Sequence, residues 1–199
     1  LRRTMVCIFH QKAEGKSTHG LVDYQGFICQ RLNFIFLNCS GFMVYQSDFI
    51  SVAVREAMNG IQKGHGGPFG AVIVKDGKII SKAHNEVVKR NDPTAHAEVL
   101  AIRKAGVKTG CFHLEGCSIY STCEPCPMCL SAILWARIDQ CYYVCSRQDA
   151  ENIGFDDNRF YEFLNGHGNL ADFKLLKIDH RECLHLFDTY KSLKNKILY

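Results

Sequence analysis

The chain has 199 residues, of which 47% are hydrophobic and 22% charged, the balance of a core-forming domain rather than a disordered or fibrous chain. It contains no apolar run of about eighteen residues, so no transmembrane helix and no membrane partner are expected. The formal net charge of +4 is uneven: Arg2, Arg3, Lys12, Lys16 and Arg31 stand against Glu14 and Asp23 in residues 1–43, leaving a surplus of one positive charge for the rest. A nearly neutral domain argues against phosphate-driven binding to nucleic acid.

Residues 1–43 show neither a sustained helical period nor strand alternation, and are expected to be a poorly ordered extension. A domain is expected over residues 44–199. From Asp48 the apolar residues Ile50, Ala53, Val54, Ala57, Met58 and Ile61 fall at helical spacing, with Ser47 or Asp48 as N-cap. The stretch 66–70, GGPFG, reads as a loop. Residues 71–83 read as two strands around an Asp-Gly turn, the strongest short hairpin signal in the chain. Residues 95–105 predict a helix, 117–122 a strand, and 127–138 a helix with Pro127 at its first position. A strand over 140–146, a short helix over 158–164 and a strand over 173–178 follow. Leu186, Tyr190, Leu193 and Ile197 mark a last amphipathic helix. This alternation predicts an α/β fold: a three-layer α/β/α sandwich with a central mixed sheet.

Eleven cysteines, an odd number, do not suit a disulfide scaffold, which is normally short, secreted and even in count. Reduced thiols in a reducing compartment, the cytoplasm, are the expectation. Cys117, Cys141 and Cys145 lie among strand-like residues and are expected as small core hydrophobes.

Two short segments carry chemistry. Residues 94–98 read TAHAE, and residues 123–129 read CEPCPMC. Cys126 and Cys129, three residues apart, share one face at a helix start, where the helix field favours the thiolate that binds metal. His96 also stands at a helix start. One His and two Cys suit zinc and leave the fourth tetrahedral position open to water, as in catalytic rather than structural sites. Cys123 could close the site as a fourth ligand, but it precedes Pro125 at the end of a strand. Glu98, two residues beyond His96, can reach that water as a general base without ligating the metal. Taken alone, Glu98 would be an ordinary first-turn Glu favoured by the helix dipole. Its place in H-x-E opposite P-C-x-x-C matches the general pattern of zinc nucleobase deaminases.

The stretches NDPTAHAE (91–98) and STCEPCPMCLSAILWA (121–136) resemble the cytidine deaminase-like superfamily. GFDD (154–157) and the terminal NKILY place the resemblance with its guanine deaminases, ahead of its tRNA adenosine deaminases; it covers about residues 44–199. The resemblance implies one zinc per chain, held by His96, Cys126 and Cys129, with Glu98 moving protons, and a small purine base as the molecule acted on. It implies that Asn85 turns its amide to the purine edge, that Phe69 packs on the base, and that Asp157 accepts from guanine N–H groups. Trp135 and Tyr199 would border the pocket. A homodimer is implied, with a C-terminal segment that can cross to the partner. The implied reaction is hydrolytic deamination of guanine to xanthine and ammonia. The residues leave two other readings: a tRNA adenosine deaminase with the same chemistry, and a non-enzymatic zinc module. Apart from the resemblance, Phe69 and Trp135 read equally as core aromatics, and Asp157 as the N-cap of the helix that follows.

Overall fold

Four strands make one mixed sheet in the computed structural model of the chain, which describes residues 47–168, 170 and 173–196. The elements run α1 (Ser47–Gln62), β1 (Gly70–Lys75), β2 (Lys78–His84), α2 (Val87–Arg90), α3 (Ala97–Thr109), β3 (Cys117–Cys123), α4 (Pro127–Trp135), β4 (Gln140–Cys145), α5 (Arg147–Glu151), α6 (Asn158–Leu164) and α7 (Arg181–Ser192). The sheet order is β2-β1-β3-β4. β1 pairs antiparallel with β2 and with β3, and β3 pairs parallel with β4. The Asp-Gly hairpin forms as expected: Asp76 and Gly77 both take positive φ, 48° and 71°, the backbone a two-residue turn between twisted strands needs. A shift of register between Ile73 and Val74 follows within three residues.

Strand alternation divides the core. Val72 and Val74 of β1, with Tyr120 of β3, pack on Phe49 and Ala53 of α1. Ala71 and Ile73 turn to the other face, where Ile119 meets Leu100, Ala101 and Ala105 of α3 and Ile133 of α4. The result is the α/β/α sandwich expected. β3, α4 and β4 form a crossover unit between parallel strands, so the N-terminus of α4 sits just beyond the C-terminal end of β3. Such strand ends are where open α/β sheets bind ligands.

The structure corrects two expectations. Residues 173–178 form no strand; Phe173, Leu175, Leu176 and Ile178 are exposed, and among the described residues no strand pairs with them. Cys145 is exposed because β4 is the edge strand and loses its cover along its second half, whereas Cys117 is buried. The eight described cysteines are all free thiols. Among the described residues no helix is long and apolar enough to cross a membrane. The expected boundary at residue 43, and Ile197 and Tyr199, lie outside the described residues.

Candidate active site

Two helix N-termini converge on the site. His96 is the N-cap of α3 and Cys126 the N-cap of α4, each with extended backbone (φ −69°, ψ 153° and φ −64°, ψ 167°). Pro127 opens α4 at the one position where its missing N–H costs nothing. Cys129 follows in the first turn of α4 and is fully buried. His96 Nδ1 lies 3.6 Å from Cys126 Sγ and 3.5 Å from Cys129 Sγ. Tetrahedral zinc, with Zn–N near 2.05 Å and Zn–S near 2.3 Å, sets an N-to-S edge of about 3.6 Å. Both His–Cys separations therefore match what one zinc ion requires, all three donor atoms lie within 4.8 Å of one another, and their chemistry suits it.

The two thiols differ in charge. A hydrogen bond from Cys129, then one from His96, pulls the Cys126 thiol down to about 4 despite its burial. Cys129 correspondingly holds its proton, its thiol raised by the bond to Cys126 and by burial. A metal ion would take the place of that shared proton. Cys123 stands apart: its thiol donates to the Ser146 carbonyl at 3.5 Å and is pushed up to about 12, chiefly by burial. It is not in the His96/Cys126/Cys129 cluster.

Glu98 lies in the first turn of α3 and is 5% exposed. Ser121 Oγ donates to its Oε1 at 3.4 Å. Burial pushes the Glu98 carboxyl up, against the pull of its own backbone amide. A buried carboxyl with its proton affinity so raised is suited to take and return a proton.

A cavity of about 340 Å³ opens beside the cluster, lined by His96, Cys126, Pro93, Met128, Phe160 and Phe163 among others. It is predominantly apolar, with His96 and Cys126 as its polar groups, the usual character of a small-molecule pocket. Two of the expected contacts, Asn85 and Phe69, are joined to each other but are not among the residues that line this cavity. Asn85 is 3% exposed; its backbone N–H donates to the Phe69 carbonyl at 2.9 Å, and its side-chain Oδ1 accepts from Val87 N–H at 3.1 Å. A Cβ on Gly66 would collide with that Oδ1, so the loop before Phe69 must carry Gly there. Phe69 meets Phe155 edge to face, ring centres 4.9 Å apart.

Asp157 precedes α6 but does not cap it: its side chain makes no capping bond, and φ −103°, ψ −4° is not the extended backbone of a capping residue. Its Oδ1 is buried with no hydrogen-bond partner among the described residues. Burial, then the Cys126 thiolate, pushes its carboxyl up, and its charge is felt at His96. Trp135 is not brought to the cavity: it is 64% exposed at the last residue of α4, about 12 Å along the helix from Pro127. The aromatic and apolar lining from α6, Phe160, Phe163 and Leu164, was not anticipated. Its signal was the apolar spacing within NRFYEFL, read only as a helix.

This fold, with a buried Glu beside a His/Cys/Cys donor set at two helix N-termini, defines a zinc-dependent hydrolytic deaminase. Residues 43–145 match the family described as the cytidine and deoxycytidylate deaminase zinc-binding region, and the chain belongs to that family. It is similar to the guanine deaminase of Bacillus subtilis, 44% identical over 151 residues, which cover 76% of this chain and 97% of that one. The X-ray structure of guanine deaminase from Bacillus subtilis superposes with a TM-score of 0.74 at 43% identity, over 78% of this chain and 99% of the other. A tRNA-specific adenosine deaminase of Aquifex aeolicus is 52% identical over 92 residues, 46% of this chain and 60% of that protein.

Proposed function

We propose that this chain deaminates guanine, adding water and releasing xanthine and ammonia. The observation that carries this reading is the Asp157 carboxyl, raised by burial and by the charge of Cys126, with Oδ1 buried and without a hydrogen-bond partner among the described residues. An ionised carboxylate only accepts, and guanine presents two donors along one edge, N1–H and the C2 amine, whereas adenine presents an acceptor at N1. The similarity to the Bacillus subtilis guanine deaminase over nearly all of that protein's length supports the same substrate. The likeness to NE0047 in complex with 2,6-diaminopurine, at 29% identity and a TM-score of 0.52 over 55% of this chain and 61% of that one, supports a purine base more broadly.

His96, Cys126 and Cys129 would hold one zinc per chain. When bound, zinc supplies a Lewis acid that makes water at its open position nucleophilic near neutral pH. Glu98 takes a proton from the attacking water as the oxygen bonds to guanine C2, and delivers it to the adjacent ring nitrogen. It then carries the remaining hydroxyl proton to the C2 amine, the C–N bond breaks, and ammonia leaves. The buried position of Glu98 keeps this carboxyl from exchanging protons with bulk water. Asp157 fixes which edge of the base enters. Asn85, its oxygen committed to Val87 N–H, has its amide N–H groups for the purine acceptors. Phe69, steadied by Phe155, provides a flat apolar surface for the ring.

Leu184, Leu186 and Phe187 of helix α7 are exposed among the described residues. This supports a homodimer in which the C-terminal segment, with Tyr199, and the exposed Trp135 meet the partner's pocket. The free cysteines suit a reducing, cytoplasmic setting. The test is an ammonia-release screen with guanine, guanosine, adenine, cytosine and cytidine, run beside an assay for inosine in tRNA. Release from guanine alone supports the proposal, and inosine formation without guanine turnover would replace it with the tRNA reading.

A further inference from the structure

A second group of metal donors lies outside the His96/Cys126/Cys129 cluster. His65, in the loop after α1, places its Nδ1 2.9 Å from Nε2 of His84, at the end of β2. Glu86 Oε1 lies 3.6 Å from the same His84 nitrogen, and the three donor atoms all fall within 4.8 Å of one another. We propose that His65, His84 and Glu86 form a second site for a divalent transition metal, of the zinc, nickel and cobalt class, which ties the loop before Phe69 to the segment that carries Asn85.

Tetrahedral bonds of about 2.0–2.1 Å set donor-to-donor edges of about 3.3–3.4 Å. The His84–Glu86 separation is already near that, and the two imidazoles need only part by about half an ångström. Two imidazoles and one carboxylate are a donor set for zinc, nickel or copper rather than calcium or magnesium.

The surroundings are built for it. The second ring nitrogen of His84, Nδ1, faces Glu56 Oε2 at 3.4 Å, the outer carboxylate that orients a metal-binding imidazole and raises its basicity. Lys82 holds Glu56 in turn at 2.9 Å. Gly60 of α1 makes room for the His84 ring: a Cβ there would stand 2.7 Å from its Cδ2. The His65 backbone is fixed, its N–H donating to the Gly60 carbonyl at 3.0 Å and its carbonyl accepting from Val88 and Lys89, both at 3.1 Å. Burial, then the charges of Lys89 and His84, hold the His65 imidazole below its ordinary value, in the neutral form that ligates.

Lys89 is the competitor. Its ammonium donates to Glu86 Oε1 at 3.0 Å, the oxygen a metal would take, while Arg90 bonds the other oxygen, Oε2. Lys89 is half exposed and can leave for water. Metal binding at this site therefore exchanges a Lys89 bond for a metal–oxygen bond, and removing Lys89 strengthens it.

The experiment titrates the full chain with cobalt(II) and zinc(II) after removal of bound metal, following absorption and metal content. The first cobalt equivalent should bring the thiolate charge-transfer band of a cysteine site. A second should bind without enlarging that band, because its donors carry no sulfur. His65→Ala and His84→Gln should each weaken the second equivalent at least tenfold while the thiolate band persists, and Lys89→Ala should tighten it severalfold. Wild-type protein that binds one equivalent, or a second equivalent indifferent to His65→Ala and to Lys89→Ala, would overturn the proposal. Because the band reports the cysteine site separately, failure here and failure of the deaminase reading give different results.

Discussion

The Tyr161 hydroxyl donates to the Pro125 carbonyl at 2.6 Å, joining α6 to the residue just before Cys126, thirty-six positions earlier in the chain. Arg147 lies over the Tyr161 ring, 4.4 Å from its centre, and pairs with Glu124 at 3.0 Å. This clasp sets the α6 wall of the cavity, with Phe160 and Phe163, against the N-terminus of α4. A neutral hydrogen bond of this kind contributes about 1 kcal/mol. Tyr161→Phe should therefore raise KM for guanine by about three- to tenfold with metal content unchanged; steady-state kinetics beside metal analysis checks it.

Asp157 separates two roles sharply because its side chain makes no capping bond. Asp157→Asn keeps the shape but puts a donor where the base also donates. Two charge-assisted bonds weakened together, at about 1.5–3 kcal/mol each, predict a fall in kcat/KM for guanine of roughly a hundredfold or more. The melting temperature should hold within about a degree or two, since Asn caps as well as Asp and no cap is lost. An unchanged rate would remove Asp157 from the pocket.

The strong local signals in the chain were those that packing does not override. Asp76-Gly77 dictates its hairpin because both residues accept positive φ, and the apolar period from Ile50 to Ile61 dictates α1. The zinc pattern was legible because His96 and Cys126 are both helix N-caps, a placement that their own neighbours, Pro93 and Pro127, announce. What failed depended on distant partners. FKLLKI is apolar enough for a strand, yet a strand needs a ladder and none of the described strands pairs with it. Helix α2 is a single turn whose N–H groups bond the His65 carbonyl, twenty-odd residues away, so no local pattern foretold it.

Glu86 makes stability depend on pH. Burial would raise its carboxyl, but the bonds from Lys89 and Arg90 outweigh that and bring it from 4.5 to about 2. A depressed carboxyl stabilises the folded chain above its unfolded value, and the contribution is lost as pH falls from about 5 through 2. Both cations are half exposed, which limits the contribution to about 1–2 kcal/mol. With chelator present, wild type should exceed Glu86→Gln in urea stability by that amount at pH 6, and the gap should close towards pH 2–3. A gap that stays constant with pH contradicts this.

Cys126 and Cys123 should part company. Cys126→Ala removes a donor from the three-member cluster and should lose both metal and turnover. Cys123→Ala removes a thiol bonded to the Ser146 carbonyl, and should keep most of each while losing about 1–2 kcal/mol of stability as a small buried side chain shrinks. Equal loss of zinc in both variants would mean a closed four-ligand site.

The central claim is that Glu98 moves the protons of a hydrolytic guanine deaminase without holding its metal. The direct test measures ammonia and xanthine from guanine for wild type and Glu98→Gln at matched metal content. Wild type should turn guanine over, and Glu98→Gln should bind the same zinc yet be slower by about 10²–10⁴-fold. A metal-loaded wild type that releases no ammonia from guanine, or a Glu98→Gln variant as fast as wild type, would contradict it.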